Sequence, residues 1–166
     1  MNYLAHFVLI NCLSRTIKDR TGRVVIVSSD ASIKQAPKEG IRFDDLAGDR
    51  TYSAFIFYGQ SKLACSLYAK ELARRLEPRG IVVNSVHPGA VKGTALNKNL
   101  AFPLDVVLTL ASFFMKSVEA GATTQTYLAA NPHARVATGK YFVDCHISTG
   151  SSFLSDDAMA LQLWDV

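Results

Sequence analysis

A tyrosine and a lysine four residues apart form the pair in this chain best suited to acid–base chemistry. They are Tyr58 and Lys62, in a segment whose composition predicts a helix. Positions i and i+4 lie on one face of a helix, so both side chains can reach the same ligand. A free phenol titrates near pH ~10 and exchanges protons poorly at neutral pH. A neighbouring ammonium group favours the phenolate, which would make Tyr58 a usable acid or base.

Two segments on either side of this pair are predicted to be strands that position it. Residues 24–27 are apolar and β-branched and end abruptly at Ser28 and Ser29, and the run 80–87 ends at Pro88 and Gly89. A continuous apolar run suits a parallel strand buried on both faces. Ligands of open α/β sheets bind beyond the carboxyl ends of the strands, which places both motifs beside the helix. Serines also end strands without any functional role, and that alternative stays open.

The remaining pattern predicts an α/β protein with no repeats, linkers or low-complexity stretches. Helices are expected from Asn2 to about Lys18, around Tyr58 and Lys62 and on to about Leu76, over 118–130 and over 155–164. Residues 140–145 are expected to form the last and outermost of three parallel strands. The long segment 30–57 is expected to be a loop on the substrate side of the site, because long loops without regular structure are usually functional or mobile.

This order of elements resembles the short-chain dehydrogenase/reductase family, and within it the retinol dehydrogenase-like and WW-domain oxidoreductase-like branch. The resemblance covers essentially the whole chain. The matching residues are Asn2-Tyr3-Leu4-Ala5-His6-Phe7, Val27-Ser28-Ser29, Tyr58 to Ala64, Leu72 to Leu76, His87-Pro88-Gly89, Glu119 to Ala122 and Gly139 to Phe142.

The resemblance implies a catalytic role for four residues. Tyr58 would give a proton to a carbonyl oxygen or take one from an alcohol. Lys62 would favour the phenolate and hold the hydroxyls of the nicotinamide ribose. Ser29 would hydrogen-bond the substrate oxygen. Asn2 would complete a tetrad behind Lys62, the alternative being an ordinary helix N-cap.

The resemblance also implies a nicotinamide cofactor, NADP or NAD with NADP favoured, and a hydrophobic substrate. Besides Tyr58 and Lys62, the cofactor-binding residues would be Pro88, Gly89, Val91 and Thr94. Thr94 stands one position later than the family's threonine, so either the loop carries a bulge or Thr94 does not contact the nicotinamide. The substrate would be a retinoid- or steroid-like alcohol or carbonyl compound.

A glycine-rich phosphate-binding turn is absent from the sequence. A dinucleotide-binding fold uses such a turn at the start of its first helix to hold the pyrophosphate. We therefore expect a partial Rossmann-type doubly wound parallel sheet that lacks the amino-terminal dinucleotide-binding half. Residues 1–166 would be one domain, the carboxyl-terminal catalytic portion of such an enzyme, weak or inactive alone. The alternatives are a non-catalytic partner of full-length subunits and a gene product without function.

Composition excludes several other classes of function. The net charge of +4 is scattered, with no continuous basic stripe for nucleic acid. The three cysteines are predicted to be buried thiols, and no metal-ligand spacing occurs. The apolar segment 102–115 is too short to span a membrane; it would form a lid over the substrate or a helix packed on the sheet, and it would also suit shallow membrane contact. The protein would be intracellular, cytoplasmic or membrane-associated through an anchor outside this sequence. The resemblance also implies a homodimer that packs through the helices containing Asn2 and Tyr58.

Overall fold

The computed structural model describes residues 2–92 and 115–166 as an α/β unit. Thr94 and all of the apolar segment except Met115 lie outside the described residues. The strands are β1 (Arg23–Val27), β2 (Val82–His87), β3 (Tyr141–Val143) and β4 (His146–Ile147). The helices are α1 (Leu4–Leu13), α2 (Ala31–Lys34), α3 (Ala54–Leu76), α4 (Val118–Ala130) and α5 (Asp157–Asp165).

The sheet has the order β1-β2-β3-β4, with three parallel strands followed by one antiparallel strand. The predicted parallel core is confirmed. The prediction that 140–145 is the outermost strand is wrong, because the chain turns at Asp144 and Cys145 and adds β4 beyond β3. Both turn residues have positive φ, +49° and +64°, a conformation that side chains other than glycine rarely adopt. A strand of two residues leaves no periodic signal in a sequence.

Helices cover both faces of the sheet, as a doubly wound fold requires. On one face, Val83 of β2 and Ile26 of β1 pack against buried residues of α3, including Tyr68. On the other, Val86 packs against Leu128 of α4. Successive residues of a strand point to opposite faces, so Val83 and Val86 of β2 are buried in two separate hydrophobic cores. The prediction of a strand buried on both faces is confirmed for β2.

The first strand is less buried than the sequence predicts. Val27 is 39% exposed and only Ile26 is fully buried, because β1 lies at the edge of the sheet among the described residues. The helix α1 ends at Leu13, before the expected Lys18, and continues as a short 3₁₀ turn. It has no buried residue, and Leu4 and Val8 are 64% and 59% exposed.

The segment 30–57 is not a loop throughout, because its last four residues form the first turn of α3. It contains the short helix α2, and the buried Asp45 carboxylate accepts hydrogen bonds from the amides of Arg50 and Thr51, both at 3.2 Å. The side-chain oxygen Oε1 of Gln60 accepts a hydrogen bond from the amide of Arg42 at 3.0 Å. These bonds stabilise the segment against the amino-terminal part of α3.

Only one of the three cysteines is a buried thiol. Cys65 on α3 is buried, and burial raises its pKa to about 11. Cys12 is exposed on α1 and Cys145 is half-buried, so the prediction of three buried thiols is wrong. Cys12 lies on α1, which has no buried residue, and Cys145 lies in the turn between β3 and β4.

Candidate active site

A cleft of about 640 Å³ opens where β1 and β2 end. It is bounded by the turn after β1, the second turn of α3, the loop after β2 and the first half of α4. Seven of the residues predicted to end the strands or to form the site line this cleft: Ser28, Ser29, Tyr58, Lys62, Pro88, Gly89 and Val91. The fold thus brings together the strand-end motifs and the helical pair.

The helical pair has the relation that its spacing predicts. Both residues lie on α3, and the Lys62 ammonium nitrogen is 5.9 Å from the centre of the Tyr58 ring. This is within the range of a cation–π contact. Lys62 also donates a hydrogen bond to the Val27 carbonyl oxygen at 3.2 Å. The ammonium group is therefore held between the end of β1 and the phenol ring, facing the cleft.

The two serines differ sharply in what their hydroxyls do. Ser28 is 2% exposed; its hydroxyl donates to the Lys62 carbonyl oxygen at 2.7 Å and accepts from the Ser66 hydroxyl at 2.9 Å. These bonds tie the end of β1 to α3. The Ser29 hydroxyl accepts the amide of Ala31 at 3.2 Å, donates a long hydrogen bond to Oδ1 of Asp30 at 3.4 Å, and is only half-buried. Of the two, Ser29 is the one able to present a hydroxyl to a ligand.

Asn2 lies apart from the main cleft. Its side-chain amide donates to the Ser61 hydroxyl at 3.2 Å, and the residue borders a second groove, which meets the main cleft at Tyr58. The alternative of a helix N-cap is wrong, because α1 begins at Leu4 with Tyr3 in the capping position. The second groove is also where Ile41 and Leu46 of the segment 30–57 lie, so those residues border Tyr58 from the side away from the main cleft.

His87 and Gln125 line the cleft although neither was among the predicted catalytic or cofactor-binding residues. His87, the last residue of β2, lines it, and its Nδ1 accepts the amide of Asp30 at 3.1 Å. Gln125 of α4 also lines it, and its buried side-chain oxygen has no partner among the described residues. Their positions in the sequence could have identified both residues. His87 precedes Pro88-Gly89 at a predicted strand end, and Gln125 lies one helical turn after Gly121.

Several charged groups surround the two strand ends. Partial burial acts to raise the pKa of Asp30, but the hydrogen bond from Lys34 and the charges of His87 and Lys34 outweigh it and lower that pKa. Burial lowers the pKa of His87 below 6.5, opposed in part by the charge of Asp30. Both shifts favour an ionised Asp30 and a neutral His87 at neutral pH.

Lys116 packs against the loop after β2, through its side chain at Gly89 and its backbone at Val91. Gly89 has a φ of +86°, and a Cβ there would lie 2.8 Å from the Cδ of Lys116. The Lys116 backbone pairs with the strand-like segment at Val91, and its ammonium group forms an ion pair with Asp144. A side chain at position 89 would therefore displace Lys116, which explains a glycine at this point of the cleft.

Within residues 2–92 and 115–166, no cluster of three or more histidine, cysteine or carboxylate side chains is arranged to hold a metal ion. No helix in that part of the chain combines the length and hydropathy needed to cross a bilayer.

Comparison with known proteins identifies relatives of the same kind. A family model described as short chain dehydrogenase matches residues 45–103. Retinol dehydrogenase 14 of Homo sapiens is 38% identical over 100% of this chain and 49% of its own length. Short-chain dehydrogenase TIC 32 A, chloroplastic, of Brassica napus is 38% identical over 99% of this chain and 53% of its own length.

A solved structure agrees in fold. The short chain dehydrogenase from Burkholderia cenocepacia J2315 in complex with NADP is 25% identical with a TM-score of 0.59, over 85% of this chain and 51% of that one. The chain spans about half the length of the relatives it matches. The predicted Rossmann-type fold is confirmed. The chain belongs to the short-chain dehydrogenase/reductase family, and within it is retinol dehydrogenase-like.

Proposed function

We propose that residues 1–166 form the catalytic portion of an NAD(P)-dependent oxidoreductase that interconverts a hydrophobic alcohol and its carbonyl compound. The observation that carries this proposal is the convergence of the Tyr58 phenol, the Lys62 ammonium and the Ser29 hydroxyl on one cleft. An acid–base group, a cation beside it and a neutral hydrogen-bond donor are the groups that carbonyl reduction needs.

The cleft suits the nicotinamide–ribose half of a dinucleotide. Lys62 offers ammonium donors for ribose hydroxyls, and Pro88 and Gly89 offer a flat apolar wall for the ring. The unpartnered side-chain oxygen of Gln125 is an acceptor for a ligand amide. When bound, the nicotinamide supplies or takes up the hydride. The NADP complex of the related structure favours NADP over NAD.

Each residue then has a defined task during reduction. Tyr58 donates its phenolic proton to the carbonyl oxygen as negative charge develops there. Ser29 donates a hydrogen bond to the same oxygen and keeps it directed at Tyr58. Lys62 stabilises the phenolate that remains, because an opposite charge nearby favours the ionised form. In the oxidation direction the same groups act in reverse, and Tyr58 takes the proton of the alcohol.

The substrate is proposed from the lining of the cleft and from the relatives. Val27, Val91, Met115 and Val118 give the cleft an apolar wall, while the polar groups gather at the strand ends. A lipid-like alcohol would place its hydroxyl at Tyr58 and its hydrocarbon against this wall. A retinoid fits that description, as the name of Retinol dehydrogenase 14 suggests. Asn2 would act only indirectly, by fixing Ser61 next to this region.

A second candidate function is a non-catalytic partner of full-length subunits or of a second copy of the chain. The observation that favours it is the exposed apolar face of α1, formed by Leu4, Val8, Leu9 and Leu13. Nucleotide binding separates the two candidates, because a partner that acts only through α1 has no need of a nicotinamide nucleotide.

A nucleotide titration tests the proposed function directly. We expect NADPH to bind saturably but weakly, because the sequence has no glycine-rich turn to hold the pyrophosphate, as measured by the change in nucleotide fluorescence. Lys62→Met should weaken binding by about 10- to 100-fold, the range for a hydrogen bond that involves a charged group. Lys38→Met is the matched control, since Lys38 is exposed and lies outside the cleft. Equal affinity of the two variants would argue against a nucleotide at Lys62.

The two serines provide a second prediction. Ser29→Ala should lower turnover of a retinoid by about tenfold or more, with little effect on unfolding, because it removes a donor to the developing charge. Ser28→Ala should lower the free energy of unfolding by ~1–3 kcal/mol, because it removes a buried hydroxyl that both donates and accepts. Turnover and denaturant unfolding of both variants check this; equal effects of the two on both quantities would contradict the assignment.

A further inference from the structure

His87 occupies a position where the two strand ends of the cleft meet. The last backbone bond between β1 and β2 in this region joins the Ser28 amide to the Val86 carbonyl oxygen at 2.8 Å. Beyond this bond a side chain takes over from the backbone. The Asp30 amide, two residues after Ser28, donates to Nδ1 of His87 at 3.1 Å. The imidazole thus extends the link between the ends of β1 and β2 past the last backbone bond, at the edge of the cleft.

The backbone that His87 holds is the one that carries Ser29. On its other side this turn is fixed by α2: the Ser29 hydroxyl accepts the amide of Ala31, and its carbonyl oxygen accepts the Ser32 hydroxyl at 2.6 Å. The turn is therefore held from two directions, by the start of α2 and by the imidazole. Loss of the imidazole contact would leave the Asp30 amide without an acceptor among the described residues and would free one side of the turn.

The hydrogen bond defines the protonation state of the ring. Nδ1 accepts a hydrogen bond from the Asp30 amide, so in this arrangement it carries no proton, and the proton of the neutral ring lies on Nε2. The His87 side chain is 15% exposed, and Nε2 lies 3.9 Å from Oδ1 of Asp30. In a protonated ring Nδ1 would carry a proton, and its N–H would face the N–H of the Asp30 amide. Because two donors cannot form a hydrogen bond with each other, this contact would be lost. The positive ring would be attracted to the Asp30 carboxylate instead.

We propose that His87 is a positioning residue: its neutral ring, through the lone pair on Nδ1, holds the Ser29–Asp30 turn at the cleft, and protonation of the ring releases that turn. The neighbouring charges oppose one another. Asp30 and Asp144 favour protonation, whereas Lys34 and Lys116 disfavour it. Burial adds to the latter, so the ring stays neutral at pH 7 and takes up a proton only below the usual histidine pKa of 6.5.

The position of Ser29 matters for catalysis only under the proposed function, so this inference rests on that function. The hydrogen bond between His87 and Asp30 can nevertheless be tested without any turnover assay. Nuclear magnetic resonance of the purified chain reports the tautomer of His87 through its ring nitrogen shifts and the Asp30 amide through its shift and hydrogen exchange. We expect the neutral ring to carry its proton on Nε2. On acidification the Asp30 amide should shift and lose protection with the same midpoint as the ring.

Two variants separate a specific hydrogen bond from mere packing. His87→Ala removes the acceptor and should accelerate exchange of the Asp30 amide about fivefold or more, the fold-change that a net hydrogen bond corresponds to. His87→Asn places an oxygen acceptor where Nδ1 lies and does not titrate. It should keep most of the protection and lose its pH dependence. If His87→Ala does not fold, the native chain and His87→Asn still decide the question.

Any one of three results would overturn the proposal. They are a neutral ring protonated on Nδ1, an Asp30 amide whose shift does not change as the ring titrates, and an Asp30 amide that exchanges no faster in His87→Ala. The nucleotide titration separates this from the proposed function. If the chain does not bind NADPH but the His87 ring has the expected tautomer, the oxidoreductase function is excluded and the positioning role stands. If the chain binds NADPH but the neutral ring is protonated on Nδ1, the positioning role is excluded and the oxidoreductase function stands.

Discussion

Tyr58→Phe is expected to lower the rate of retinoid turnover by about 10²- to 10⁴-fold, the usual contribution of a positioned general acid or base. The variant keeps the aromatic ring and removes only the oxygen that exchanges the proton. The Lys62 ammonium would still lie over the ring, and its bond to the Val27 carbonyl oxygen does not involve Tyr58. The affinity for NADPH should therefore stay within about threefold of the original value, a change below 1 kcal/mol.

The measurement is single-turnover reduction of a retinaldehyde, followed by nucleotide absorbance, together with the fluorescence titration. Tyr52→Phe is the matched control: it makes the same chemical change at a tyrosine that is 71% exposed and borders only the second groove. It should retain full activity. A Tyr58→Phe variant as active as the Tyr52→Phe variant would exclude the phenol as the proton donor. A parallel loss of nucleotide binding would mean that Tyr58 acts mainly in binding.

The central elements of the fold could be predicted because their signals are local and strong. The strand β2 is a run rich in valine that ends before Pro88, and α3 ends at Leu76, where Pro78 and Gly80 follow. The helix α4 has the predicted bounds, with Ser117 as its capping residue. In each case propensity, stop signal and burial agree, and agreement of this kind makes an element readable from its own residues.

The features that sequence did not reveal depend on what lies next to a segment in space. The residues of β1 are as apolar as those of a central strand, yet Val27 is exposed because of its place at the sheet edge. Cys12 and Cys65 both lie on helices, and only the packing of α3 separates the exposed thiol from the buried one. The different roles of Ser28 and Ser29 likewise follow from which hydroxyl meets α3.

The glycine that follows Tyr58 explains how α2 and α3 come close enough to form the cleft. A Cβ on Gly59 would lie 2.4 Å from the carbonyl carbon of Gln35 and 2.6 Å from the amide nitrogen of Ala36. These are backbone atoms at the end of α2, so no side-chain rotation can relieve the overlap. The two helices are in contact backbone to backbone at this point, and Gln35 also lines the cleft.

Gly59→Ala is therefore expected to destabilise the protein by ~1–3 kcal/mol, the usual cost of adding a methyl group to a tightly packed site. The sign is informative because the intrinsic helix propensity favours alanine by ~1 kcal/mol. Ala129→Gly, at an exposed position of α4, measures that intrinsic difference without a steric conflict and should destabilise by ~0.5–1 kcal/mol. Denaturant unfolding of both variants gives the comparison.

The same substitution should also disturb the cleft. To accept the methyl group, the backbone at Gln35 must move away from α3, and α2 would carry Asp30 and the Ser29 turn with it. We expect weaker binding of NADPH in Gly59→Ala than in Ala129→Gly, although the latter also loses stability. A more stable Gly59→Ala protein with unchanged binding would mean that α2 does not rest on α3. The distance between Ser29 and Tyr58 would then have to be set by β1 and Ser28 alone.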